Sequence, residues 1–300
     1  MGHRTLERVY VRMLFDPAFV DAVYASAEVA LADLELSEAE RAGLVRVDRR
    51  AWAHDALRRY RTLRTLAEEY QASTTLLLAA TRSLASLDAF FSAREFHDAV
   101  QGRGSLALAF ADFMERVARE RCPVAPHLGD VLRLERLRAR CRRALDASVS
   151  PAPLPERVDA RTELALAPGH GVGRFNANVV EAVNVAERYL FEVGLMPAVA
   201  LCEDSPRLAE LPPVATEAAY LLAMPSASGI VFVPLDADYF AVLDAFATGS
   251  RPLGTAALAA VEAGVAREDV DTMVESLLEE GVLVAAATAS SRTESRTPDR

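Results

Sequence analysis

The sequence predicts an α+β protein: an all-helical N-terminal domain over residues 1–146, a linker over 147–160, and a mixed domain over 161–289 with a small antiparallel sheet. Three observations predict this. From Thr5 to Gln71, and again over Leu76–Leu87 and Ser105–Glu120, the apolar residues recur at helical spacing. Between Asp146 and Ala160, Pro151, Pro153 and Pro155 stand among small residues, which is the composition of a connector. From Glu217 to Ala286, two apolar runs, three helical stretches and a closing apolar triplet follow one another with clear turn residues between them. At 300 residues and 51% hydrophobic content, the chain is long and apolar enough to bury a core in each domain. The polar stretch Ser290–Arg300 is expected to be a disordered tail.

Taken in order, Leu6, Val9, Tyr10 and Met13 share one helical face, and Pro17 after Asp16 marks a helix start continued by Phe19, Val20 and Val23. Ser37-Glu38-Ala39-Glu40 has the pattern of a capping box. Leu76–Leu87 reads as an apolar helix, and Phe90, Phe91 and Phe96 beyond it as core. A helix over Ser105–Glu120 turns Leu108, Phe110, Phe113 and Val117 inward. Pro126 then opens a helix carrying Asp130, Arg133 and Glu135, with Arg133 and Glu135 on different faces. Past the linker, Glu163–Ala167 and Met196–Cys202 read as strands and Asn178–Leu190 as a helix. Gly169-His170-Gly171-Val172-Gly173 lacks the third glycine of a dinucleotide-binding loop and is expected to be a turn.

In the last seventy residues, Ala218–Met224 and Gly229–Pro234 form a predicted hairpin. Helices follow over Asp236–Phe246, over Leu253–Gly264, and from Arg267 with Val270, Met273, Val274, Leu277 and Leu278 on one face. Gly281 stops the last, and Val282-Leu283-Val284 is a short final strand. Strand pair, three helices and returning strand is the order of a winged helix. A DNA reader needs basic and amide side chains on the third helix. Here that helix carries Glu268, Asp269, Asp271, Glu275, Glu279 and Glu280 against Arg267, a face that repels phosphate. A peptide reader instead adds a guest strand to an exposed sheet edge. Ile230, Val231, Phe232 and Val233 would supply that edge, and Val270, Met273, Val274 and Leu277 the pockets beside it.

The net charge of −10 disfavours nonspecific nucleic-acid binding. Every basic side chain is Arg, concentrated over 41–64 and 116–143 and read as solvated helix faces, with contact to an acidic partner protein or to the other domain as the alternative. Cys122, Cys141 and Cys202 have neither disulfide-framework nor metal-ligand spacing, and the histidines His3, His54, His97, His127 and His170 are dispersed, His54 lying beside Asp55. No nucleophile elbow, kinase set or phosphate loop appears, so the chain reads as non-catalytic, without a cofactor of its own. The start of the sequence lacks the apolar segment of a signal peptide, and no apolar run of about 18 residues occurs, so a cytoplasmic location without membrane contact is expected.

Three resemblances sharpen these readings. Leu243–Gly249, Arg251-Pro252-Leu253 and Asp269-Val270-x-x-Met273-Val274-x-x-Leu277-x-x-x-Gly281-Val282-Leu283 resemble the PqqD-like domains that bind leader sequences of ribosomally made peptides. Phe110-x-x-Phe113, a Pro-bearing connector, and Pro126-His127-Leu128-x-Asp130-x-x-Arg133-Leu134-Glu135 resemble partner proteins of multinuclear-iron oxidases that modify peptide cysteines, the family of the methanobactin-biosynthesis partner subunit. This likeness spans about Phe96 to Ala286, and the chain departs from it in its extra N-terminal helices. It implies an accessory subunit that presents a ribosomal precursor peptide to an iron oxidase, with iron in the partner only and His127, Asp130, Arg133 and Glu135 at the interface. Asp16-Pro17-x-Phe19, Leu36-Ser37-x-x-Glu40 and Leu44 resemble the small helical subunit of extradiol dioxygenases. The rival expectations are a winged-helix transcription regulator and a dioxygenase-like enzyme subunit.

Overall fold

Short-range capping sets the first helices. A computed structural model describes residues 2–52, 57–123, 125, 127–147, 157–193, 197–201 and 207–286. Helix α1 (Gly2–Phe15) is followed by α2 (Pro17–Ala25), whose N-terminus is closed by the Asp16 carboxylate accepting from the Phe19 amide at 3.1 Å. After α3 (Ala27–Ala30), helix α4 (Glu38–Arg46) opens on the expected capping box: Glu40 accepts from the Ser37 amide at 2.7 Å, and Ser37 Oγ accepts from the Glu40 amide at 3.3 Å. With α5 (Arg49–Trp52), these helices bury Met13, Val20, Val23, Leu31, Leu44 and Trp52.

Helices α6 (Arg58–Glu69), α7 (Gln71–Thr81), α8 (Ala85–Asp88), α9 (Arg94–Gln101) and α10 (Leu106–Arg121) gather around an aromatic cluster. Phe90, in a 3-10 turn over Ala89–Ser92, lies with its ring centroid 5.1 Å from Phe110, 5.3 Å from Phe96 and 5.4 Å from Phe113. All four rings are buried, and the edge-on geometries between them are those that aromatic quadrupoles favour. Helix α11 follows over Leu128–Asp146.

The remaining elements are β1 (Glu163–Leu166), β2 (Gly171–Asn176), α12 (Val179–Val193), a 3-10 turn (Pro197–Leu201), β3 (Ala218–Ser226), β4 (Gly229–Leu235), α13 (Ala237–Asp244), β5 (Arg251–Pro252), α14 (Leu253–Glu262), α15 (Arg267–Glu279) and β6 (Leu283–Ala285). Two compact units result. One comprises Met1–Glu135 with Val180–Pro213 and is helical; the other comprises Arg136–Val179 with Val214–Arg300 and holds both sheets. The expected division into 1–146 and 161–289 is contiguous, whereas these units are not. Most of the expected linker (148–156), the tail (290–300), Cys202, His54 and Asp55 lie outside the described residues.

Both sheets are antiparallel, with strand orders β5-β1-β6 and β2-β3-β4. The closing strand β6 therefore does not return to the hairpin. It pairs with β1, Leu166 opposite Leu283 and Leu164 opposite Ala285. The core of this unit joins Leu164, Leu222, Val242, Leu243, Phe246 and Leu283 to the apolar faces of α14 and α15.

Two expectations are corrected. Met196–Cys202 is no strand where it is described; Pro197–Leu201 forms the 3-10 turn instead. Gly171 and Gly173 lie inside strand β2 rather than in a turn, which is confined to Pro168 and Gly169. A Cβ on Gly171 would fall 2.8 Å from Leu137 Cδ1 and 2.9 Å from Cys141 Sγ, and one on Gly173 would fall 3.3 Å from Leu137 Cδ2. Glycine is needed at Gly171 because the second half of α11 presses onto the strand, which a sequence pattern cannot distinguish from a turn.

Candidate functional site

The β3–β4 hairpin turns on Ala227 and Ser228, with Ser226 opposite Gly229 and the register running to Tyr220 opposite Leu235. Ser226 Oγ donates to the Gly229 carbonyl at 2.9 Å and accepts from the Ser228 amide at 3.2 Å, fixing the turn; Gly229 sits at φ 117°. A two-residue turn makes Ser226 and Gly229 a hydrogen-bonded pair, and antiparallel alternation then makes every second pair a non-bonded one. Pro225 opposite Ile230 and Pro234 opposite Leu221 both fall on non-bonded positions, where the missing N–H costs the hairpin nothing.

The same alternation turns the backbone groups of Ile230, Phe232 and Pro234 away from β3. Because the order β2-β3-β4 places β4 at the end of its sheet, no strand among the described residues pairs with that side. The edge offers two amides, on Ile230 and Phe232, and three carbonyls. Pro234 ends the run of donors, as prolines on sheet edges do. Ile230 is buried against Ala223 and Cys141, Phe232 packs on the same cluster under the Arg138 guanidinium at 5.4 Å, Val231 is half-buried and Val233 is exposed.

The pocket wall expected from α15 is a different matter. Val270, Val274 and Leu277 are 0%, 3% and 3% exposed and belong to the core of their own unit, and Met273 is half-buried against it. The apolar face of α15 is covered by α13, α14 and β6, so these side chains do not line an open groove. Glu268, Asp269, Asp271, Glu275, Glu279 and Glu280 form the exposed face, where Arg267 pairs with Asp271 at 3.8 Å.

The four residues expected at a partner interface divide. Glu135 is 2% exposed, and its carboxylate accepts from the amides of Ala72 at 3.0 Å and Ser73 at 2.9 Å as well as from the Ser73 hydroxyl. Helix α7 has no capping side chain of its own, so Glu135 caps it from another helix, with its charge at the positive end of the macrodipole. It is a structural cap, not a surface contact. Arg133 is exposed and paired with Asp130. His127, at φ 61°, is 6% exposed and donates from Nε2 to the Pro212 carbonyl at 2.7 Å, which leaves its buried Nδ1 without a partner.

Among the described residues no group of three or more His, Cys, Asp or Glu could hold a metal ion. Burial pushes the Cys141 thiol up to about 11 and raises that of Cys122, so neither is a ready nucleophile. Desolvation lowers the pKa of His97 and His170. No described helix is long and apolar enough to cross a membrane. Neither a protein-family model nor a curated protein matches the chain.

Proposed function

We propose that the protein is an accessory subunit that captures an extended segment of a ribosomal precursor peptide by strand addition to β4 and presents it to a multinuclear-iron oxidase. The observation that carries this reading is the outward-facing backbone of Ile230 and Phe232 on the outer edge of β4, a partly apolar strand with no partner on that side among the described residues. The PqqD-like and oxidase-partner resemblances supply the nature of the guest and of the enzyme. In this reading the guest's main chain bonds to the β4 edge, and selectivity comes from side chains flanking that edge, Val231 and Val233 on one face and Phe232 with Arg138 on the other. The buried α15 residues act as scaffold. Asp130, Arg133 and the neighbouring arginines of α10 and α11 remain candidates for docking the enzyme, which would carry the iron. The acidic exposed face of α15 weighs against the regulator reading, because it would repel a duplex.

Phe232→Pro tests the reading. It removes an outward amide and no hairpin hydrogen bond, so affinity for a labelled leader peptide that binds the parent chain should fall at least about fivefold, while an N-methyl group on the matching peptide residue should have the same effect. Unchanged affinity with both would refute strand addition.

A further inference from the structure

The sheet unit contains a second feature that strand addition does not use. Between Val214 and Ala286 the basic residues are Arg251 and Arg267, set among Glu217, Asp236, Asp238, Glu262 and the acids of α15. Arg251 nevertheless forms no ion pair with any of them. It reaches into a cleft of about 530 Å³, together with Arg174 of β2, which likewise has no carboxylate within ion-pair distance among the described residues. Both guanidiniums are therefore available to an anionic ligand, since an exposed ion pair with a neighbouring carboxylate would contribute little.

The cleft is organised around them. Arg251 Nη2 donates to Thr248 Oγ1 at 3.1 Å, which fixes the direction of its fork. Arg174 lies with its guanidinium carbon 6.0 Å from the Tyr220 ring centroid, and Tyr220 and Phe240 pair at 4.7 Å. Alanines from α13 and α14, among them Ala241 and Ala259, form the walls and keep the space open. Asp244 also lines it, so two cations and one anion leave a single positive charge. A planar guanidinium fork matches a carboxylate bidentately, and an aromatic pair beside it suits an apolar or ring-bearing body.

We infer that the cleft between β2, α13 and α14 is a binding site for a monocarboxylate attached to an apolar or aromatic group, held by Arg174 and Arg251 over the Tyr220–Phe240 pair. The carboxylate could be a chain terminus or an acidic side chain, and the chemistry at the guanidiniums is the same for both. The site does not depend on the β4 edge.

Nuclear magnetic resonance titration of the full chain tests it with three probes: N-acetylphenylalanine, its amide, and N-acetylglutamate α-amide. At least one acid should shift the Thr248 and Arg251 amide resonances while the neutral amide does not. Preference for N-acetylphenylalanine marks a chain terminus as the source, and preference for the glutamate marks a side chain. Arg174→Gln, on an exposed side chain, and Arg251→Gln should each weaken binding about tenfold, and Phe232→Pro should leave it unchanged. Equal shifts from the amide, no shift from either acid, or unaltered affinity in both folded arginine variants overturns the inference.

Discussion

The helical unit and the sheet unit differ in which polar groups they leave open to solvent. In the helical unit Asp16, Ser37, Glu40, Ser105 and Glu135 each bond to a helix N-terminus, and Arg116 reaches Glu95 at 2.8 Å. In the sheet unit, among the described residues, no strand pairs with the outer backbone of Ile230 and Phe232, and Arg174 and Arg251 line a cleft with Asp244 without forming an ion pair. Polar groups satisfied within the fold stabilise it; those held in place without a partner are available to a ligand. The difference teaches where to look for binding.

Breaking the helical unit should have the largest effects, on stability. Phe90→Ala removes a ring that packs on Phe91, Phe96, Phe110 and Phe113 and should cost about 3–5 kcal/mol in urea denaturation. Glu135→Gln keeps the shape but removes the charge from the α7 terminus, and should cost about 2 kcal/mol. In the sheet unit, Val233→Pro deletes an amide facing β3 and should destabilise the fold, whereas Phe232→Pro should lower the melting temperature less and act chiefly on peptide affinity. Phe232→Leu, which keeps the amide and trims the ring, separates the packing loss from the backbone effect in Phe232→Pro.

Smaller effects sharpen the contrast. Cys141, buried under the hairpin with a thiol pKa of about 11, should resist alkylation by iodoacetamide at pH 8 in the folded chain and react once urea unfolds it. Glu95 has its pKa lowered first by the hydrogen bond from Arg116, so its contribution is present above the unfolded carboxylate range and fades as pH falls through the folded value. The pair is partly exposed, so acid titration of Arg116→Gln against the parent should show a difference below about 1 kcal/mol.

Much of this was legible in the sequence wherever the deciding contacts are local. The capping box at Ser37, the Asp16-Pro17 start, the hairpin and the three helices after it depend on residues a few positions apart, and the structure has them close to the expected bounds. What failed depends on distant neighbours. Gly171 of β2 marks the approach of α11, the apolar stripe of α15 is covered by helices and a strand of its own unit, and Glu135 finds its partners sixty-odd positions upstream. Periodicity reports that a face is buried, not what buries it. That Arg174 and Arg251 line one cleft had no sequence signal at all, since it depends on how α13 packs on β2 and β3.

Amide hydrogen exchange along β4 probes the open ladder most directly. In the free chain the Ile230 and Phe232 amides should exchange far faster than those of Val231 and Val233, and saturating precursor peptide should slow that pair alone. Protection of Ile230 and Phe232 before any peptide is added, or exchange that saturating peptide leaves unchanged, would contradict the account.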